Sequence, residues 1–260
     1  MDLVEAKARG FVAGSRHPWE RARLALAARL IACHTPLRDG DVVLDIGCGD
    51  TFVVESLAAQ HPRAHFYAID SAFTPDLIAV FQSRLTVSNV SLFASLDDVP
   101  AGPAAALVLL MDVLEHVEDP LGLLRDLANR PCVGVDTRWL ITVPSYAALF
   151  CAHDRFLGHY RRYSTRTLNQ LLASARLTPI EAGHLFASLV PARVLQVLRE
   201  RWLPHPQEGS TGLATWSGGE TLTRVLATVL EWDGRMALAL LRVGVRMPGL
   251  SNFAICRTSA

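Results

Sequence analysis

Val42-Val43-Leu44-Asp45-Ile46-Gly47-Cys48-Gly49-Asp50 decides how the rest of this chain is read. Three apolar residues, an acid, another apolar residue and Gly-x-Gly spell a strand covered on both faces that runs into a tight turn. Gly47 and Gly49 omit Cβ atoms where the chain reverses sharply or where a ligand approaches the backbone. Asp50-Thr51 then stands as the cap of a helix that begins at Val53-Val54-Glu55. The pattern predicts a small ligand above a strand end and beside a helix N-terminus. An ordinary strand–helix corner would show the same glycines, so more is needed.

The second half of the signal follows about twenty residues on. His65-Phe66-Tyr67-Ala68-Ile69 reads as the next strand and ends in Asp70. An acid closing the second strand of a βαβ unit can accept from ribose hydroxyls, in dinucleotide enzymes and in enzymes that bind S-adenosylmethionine. A dinucleotide turn wants G-x-G-x-x-G, and here Phe52 stands at the third glycine. That leans towards the methyl donor.

With these residues, Leu44-Asp45-Ile46-Gly47-Cys48-Gly49 resembles the nucleotide-binding motif of class I S-adenosylmethionine-dependent methyltransferases. Leu110-Met111-Asp112-Val113-Leu114-Glu115-His116-Val117 resembles the fourth-strand motif of their ubiquinone-type branch. The resemblance covers roughly residues 15 to 185 and the final strand. It implies a Rossmann-like, doubly wound seven-stranded sheet with the last strand antiparallel. It also implies S-adenosylmethionine as cofactor, with S-adenosylhomocysteine left as product. Asp45 and Gly47 would border the donor's methionine part, Asp70 its ribose and Asp97, with Asp98 as the alternative, its adenine. Cys48, Gly49, Ser71, Met111 and Asp112 complete the implied donor site.

Composition bounds the rest. The 260 residues suffice for one large α/β domain or for a core with a small cap, and half of them are apolar. The 25 basic residues balance 25 acidic ones, so no global field steers the chain to nucleic acid. Five scattered cysteines with no C-x-x-C pair read as reduced, and the early acids of Met1-Asp2-Leu3-Val4-Glu5 argue against a signal peptide; both suggest a cytoplasmic protein. No apolar run reaches eighteen residues.

Along the chain, Pro18-Trp19 opens a helix from Glu20 to about His34, and the resemblance makes residues 15–38 a lid over the donor. Strands are expected at 89–94, 104–111 and 139–143, with helices between them from about Pro75 and Pro120, a rhythm that argues for one doubly wound sheet. A sixth strand is expected at Leu177–Glu181 and a last one at Ser251–Cys256. Before the last strand come two amphipathic helices, about 188–203 and 220–243, joined by the linker His205 to Gly219. Val190, Val194, Val197 and Leu198 are expected inward on the first, with Arg193, Gln196 and Arg199 outward. On the second, Leu222, Val225, Leu226, Val229, Leu230, Met236 and Leu240 form the apolar side. Residues 186–245 would thus form a helical cap on a single 1–260 domain, pack two subunits together, or touch a membrane surface; intramolecular packing is the default.

The least ordinary stretch is Phe150-Cys151-Ala152-His153-Asp154-Arg155-Phe156-Leu157-Gly158-His159-Tyr160-Arg161-Arg162-Tyr163-Ser164. It resembles a loop that closes over the acceptor in a bacterial methyltransferase subgroup. Removing a proton from a hydroxyl acceptor needs a base, and His116 and His159 suit that task near neutral pH, with His153 beside them. Tyr160 or Tyr163 would shape the acceptor pocket. Asp112, Glu115, His116 and His159 also offer a divalent cation two carboxylates and two imidazoles, a set that resembles a magnesium or manganese site in some relatives.

The sequence therefore predicts methyl transfer to a small-molecule acceptor, at oxygen, hydrophobic or carboxylate-bearing, by a monomer or homodimer. A nicotinamide-type oxidoreductase and an inactive scaffold that kept the fold are the rivals, and an RNA 2′-hydroxyl ranks lower as acceptor. Arg155, Arg161, Arg162 and Arg166 could meet phosphates, but no further basic tract supports them.

Overall fold

The computed structural model describes residues 16–202 and 216–259. Residue 15 of the expected lid and residues 203–215 of the expected linker and cap lie outside them. In chain order the elements are α1 (Pro18–His34), β1 (Val42–Ile46), α2 (Phe52–Gln60), β2 (His65–Ile69), α3 (Pro75–Gln82), β3 (Val90–Phe93), β4 (Leu107–Met111) and α4 (Pro120–Ala128). After them come β5 (Arg138–Pro144), α5 (Ala152–Phe156), α6 (Thr165–Ser174), β6 (Leu177–Leu185), α7 (Val190–Trp202), α8 (Gly219–Arg242) and β7 (Ser251–Thr258).

The seven strands form one sheet in the order β3-β2-β1-β4-β5-β7-β6. β1 pairs in parallel with β2 and β4, β4 pairs in parallel with β5, and β7 runs antiparallel between β5 and β6. The expected α/β architecture, antiparallel last strand included, is the one observed. Every residue of β1 and β4 is buried, as an apolar run flanked by helices on both faces requires. Two apolar layers follow, one holding Leu57, Phe66, Leu107 and Phe253 and the other Leu44, Val108, Trp139 and Leu172.

At the sheet's carboxyl edge the backbone turns hard. Gly47 and Gly49 have φ of 68° and 61°, and a Cβ on Gly47 would lie 2.7 Å from Val113 Cγ2. Thr51, Asp112, Tyr146 and Phe186 also take positive φ, after β1, β4, β5 and β6 respectively. Such backbone is costly for non-glycine residues and concentrates at ligand-binding edges. Thr51 does occupy the helix cap position, but its side chain makes no capping bond; Asp50 accepts instead from Phe52 N at 3.5 Å.

Three expectations about the helices change. Capped by His17, α1 starts at Pro18. Of the inward set expected on α7, only Val197 is buried; Val194 and Leu198 are exposed, while Arg193 and Gln196 face the cavity described below. On α8 the buried stripe is Thr223, Ala227, Leu230, Asp233, Gly234, Ala237 and Leu238, whereas Leu222, Val225, Leu226, Val229, Trp232 and Met236 face outward. Close packing on α1 selects the small residues: a Cβ on Gly234 would sit 2.2 Å from Leu26 Cδ1. Among the described residues, no helix is long and apolar enough to cross a membrane.

Candidate active site

A cavity of about 630 Å³ opens along the carboxyl edge of the sheet. Its floor is built strand by strand: Asp45, Gly47, Cys48 and Gly49 from β1 and its turn, Asp70 and Ser71 after β2, and Met111, Asp112, Val113, Glu115, His116 and Val117 from the end of β4 onward. His17, Trp19 and Arg23 of the α1 region cover one side. Leu189, Ala192, Arg193 and Gln196, from the start of α7, cover the other, and His153, Leu157, His159 and Arg162 close the end above β5.

The β1–β2 corner is held by Asp70. Asp70 accepts from Gly49 N and Ala72 N, both at 3.0 Å, so one carboxylate pins the glycine turn to the β2 loop. Asp45 is 3% exposed and its Oδ2 has no hydrogen-bond partner. Burial pushes its carboxyl up to about 7, against the opposing pull of Arg23. Asp112 takes part in a latch: Arg23 Nη1 donates to its Oδ2, and Thr142 Oγ1 donates to its Oδ1 at 3.1 Å. That ion pair ties α1 to the end of β4 across the cavity.

Asp97 is a correction. It lies in the short 3₁₀ turn Leu96–Asp98, its carboxylate is turned to solvent and paired with Arg130, and it is not on the cavity wall. Ser95 caps that turn by accepting from Asp97 N, which directs the acid outward.

The Phe150–Ser164 stretch is a strap sewn onto the β4 and β5 loops. Tyr160 N donates to Glu115 O at 2.8 Å, and Tyr163 Oη donates to Leu114 O at 3.1 Å. Tyr163 N and Pro144 O, and Tyr146 N and Tyr163 O, make two further backbone bonds. Arg162 is buried, donating to Asp154 Oδ1 at 2.7 Å and to Ser145 O at 3.2 Å, and Arg161 Nη2 donates to Glu118 O. Arg162 and Arg161 are thus spent on the strap, and Arg155, Arg161 and Arg166 do not line the cavity. Tyr160 is 57% exposed under Arg161, and Tyr163 is buried beneath the strap, so neither ring shapes the cavity.

What the strap delivers is His159. Its ring meets His116 edge-on, with centroids 4.5 Å apart. Its Nδ1 lies 2.9 Å from Oδ1 of Asp154, a fully buried acid that sequence reasoning missed. Burial alone would raise Asp154, but the His159 hydrogen bond and the Arg162 guanidinium outweigh it and hold the carboxyl well below its usual range. Asp154 therefore stays ionised and orients the imidazole. His153 also faces the cavity; burial, helped by Arg193, pushes it down to about 4, and its Nδ1 has no partner.

One ligand atom from each of Glu115, His116 and His159 lies within 4.8 Å of the others. Asp112 is outside this group, and its oxygens accept from Arg23 and Thr142. Burial, with Asp112 beside it, pushes Glu115 well above the usual carboxylate range, and Glu115 Oε2 has no partner.

A family profile described as a methyltransferase domain matches residues 18–182. A malonyl-[acyl-carrier protein] O-methyltransferase of Bacillus anthracis is 41% identical over 51 residues, which are 20% of this chain and 18% of that protein. The ubiquinone biosynthesis O-methyltransferase of Xanthomonas axonopodis pv. citri is 36% identical over 95 residues, 35% of this chain and 38% of that protein. The matches thus span less than two fifths of either curated relative. Among solved structures, coclaurine N-methyltransferase bound to N-methylheliamine and S-adenosylhomocysteine superposes with a TM-score of 0.55 at 13% identity, covering 90% of this chain and 70% of that one. At that identity the likeness is one of fold.

Proposed function

The chain belongs to the methyltransferase-domain family of class I S-adenosylmethionine-dependent enzymes, and we propose that it methylates an oxygen of a small-molecule acceptor held in the cavity above β4 and β5. The observation that carries this reading is the Asp154–His159 pair, which opens onto the same cavity as Asp70 and the glycine turn.

S-adenosylmethionine supplies an electrophilic methyl group on a good leaving group, so the protein has two tasks: placement and proton removal. Donor placement falls to Asp70, aimed at ribose hydroxyls, and to the wall of Gly47, Cys48, Gly49, Ser71 and Met111. Asp45 fits a donor as well: its orphaned Oδ2 in the cavity wall suits a cationic amine. Proton removal falls to His159. Asp154 binds Nδ1–H and so leaves Nε2 as the acceptor of a proton, the arrangement a general base requires. His116 packs against that ring and limits its rotation. In this reading the described residues act as one unit, with α1 as lid and the α7–α8 region as cap, and five free cysteines agree with a reducing cytoplasm.

Calorimetric titration of S-adenosylhomocysteine into the wild type, Asp70→Ala and His159→Ala tests the division of labour. Donor affinity should collapse in Asp70→Ala and survive in His159→Ala, while release of S-adenosylhomocysteine in a panel of phenols and hydroxy acids should fail in His159→Ala. Equal loss of donor affinity in both variants would overturn the assignment.

A second reading is favoured by the partnerless Glu115 Oε2 and the 4.8 Å grouping of Glu115, His116 and His159. These three residues would hold a divalent cation, which would lower the acceptor hydroxyl's pKa directly. Loss of turnover with a chelator, restored by magnesium or manganese, would favour it over the unaided base.

A further inference from the structure

Charge is sorted along the cavity. Over β1, β2 and β4 the wall is acidic: Asp45, Asp70, Asp112 and Glu115. Over β5 and β7 it carries Arg162 and Arg193 with two imidazoles, His153 and His159. Pairing removes most of this charge. Arg23 cancels Asp112, and Arg162 cancels Asp154. Arg193 differs from these arginines: among the described residues no carboxylate lies within ion-pair reach of it, and its Nη1 donates only to the sulfur of Cys151 at 2.7 Å.

The neighbouring groups support an anion there. His153 stands against Arg193, is held neutral, and presents a buried Nδ1 with no hydrogen-bond partner. Gln196, one turn along the same helix, adds an amide to the cavity wall, and Glu200 beyond it is occupied by Ala152 N and by Gln196 Nε2. A thiol is a weak partner for a guanidinium, which matches carboxylate and phosphate oxygens with two parallel N–H bonds. A half-buried cation without a counter-ion therefore has an unmet demand that a ligand can satisfy.

We infer that Arg193, with His153 and Gln196, forms a subsite for an anionic group of the acceptor, a carboxylate or a phosphate. This inference rests on the methyl-transfer reading and narrows its substrate class. The subsite lies over β5 and β7, two to three strand spacings from the β1 glycine turn, or about 10–14 Å. Arg193 is thus a specificity residue that fixes the far end of the acceptor while His159 meets the reacting oxygen. A hydroxy acid or hydroxy phosphate carries both of the groups that this arrangement would meet.

The test uses protein saturated with S-adenosylhomocysteine and three probes: 4-hydroxybenzoate, its neutral amide, and inorganic phosphate as a competitor. The wild type should bind the carboxylate at least tenfold more tightly than the amide, and phosphate should displace it. Arg193→Ala should bring carboxylate and amide within twofold of each other, with S-adenosylhomocysteine affinity unchanged, and Arg193→Lys should keep part of the preference. Equal binding of the carboxylate and the amide by the wild type, no detectable binding of either anion, or a preference that survives Arg193→Ala would overturn the inference. Failure of S-adenosylhomocysteine to bind at all would strike the methyl-transfer reading instead. Urea melts of each variant separate loss of the anion from loss of the fold.

Discussion

His159 Nδ1 lies 2.9 Å from Asp154 Oδ1, and that same oxygen accepts from Arg162 Nε at 2.7 Å. One buried carboxylate thereby orients the proposed base and neutralises a buried cation. Asp154→Ala should cost about 3–5 kcal/mol of stability, the range for stranding one member of a buried ion pair. Asp154→Asn should keep more of the fold and still lose most turnover, since an amide no longer selects the imidazole tautomer. Urea melts and initial rates measure the two losses separately. A fully active Asp154→Asn would sink the orienting role.

Acid should act on His153. Its native value of about 4 lies below the ordinary 6.5, so the unfolded chain takes up a proton that the native state refuses. The stability this residue contributes is full above pH 6.5 and declines as pH falls towards 4. His153→Gln should therefore gain on the wild type steadily across that interval. Parallel stability curves for the two proteins would contradict the buried neutral imidazole.

Asp45 should give a slope of opposite sign. Its carboxyl is raised from 3.8 to about 7, so the native state keeps a proton that the unfolded chain has lost. Its contribution is full below pH 3.8 and is lost as pH rises to about 7. Asp45→Asn should stabilise the ligand-free protein at pH 8, because a neutral amide avoids the burial cost of the ionised carboxylate. It should weaken S-adenosylhomocysteine at the same time. Denaturant titrations across pH, read beside donor affinity, check both halves.

Gly249 offers a test of packing alone. A Cβ there would lie 2.3 Å from Leu185 O and 2.7 Å from Leu185 C, backbone atoms that cannot step aside as a side chain tip can. Gly249→Ala should cost about 1–3 kcal/mol or more, the scale of overpacking. Melting at neutral pH would show it, and an unchanged midpoint would mean that the β6–β7 corner yields freely.

Much of this could be read from sequence, for identifiable reasons. A buried parallel strand needs a continuous apolar run, and β1, β4 and β5 each have one; Asp70 shows because it ends such a run. Asp154 did not show, because its meaning lies in contacts with residues five and eight positions on, within a segment that has no period. Arg193 was placed on the wrong side for another reason. Periodicity divides a helix into two faces without saying which one turns inward, and here the interior is a polar cavity. On α8 the large apolar residues looked like the inner face, but the close approach to α1 at Gly234 and Leu26 admits only small ones.

β7 follows every other strand in the sequence and yet lies between β5 and β6. During synthesis β6 is therefore complete before β7, its partner in the sheet, exists, and β5 waits with one edge unpaired. About seventy residues, including both cap helices, emerge while those two edges are open. Nascent chains of this protein should then be most dependent on chaperones late in translation, in the window between β6 and β7, because two open strand edges are what trigger aggregation of an unfinished sheet.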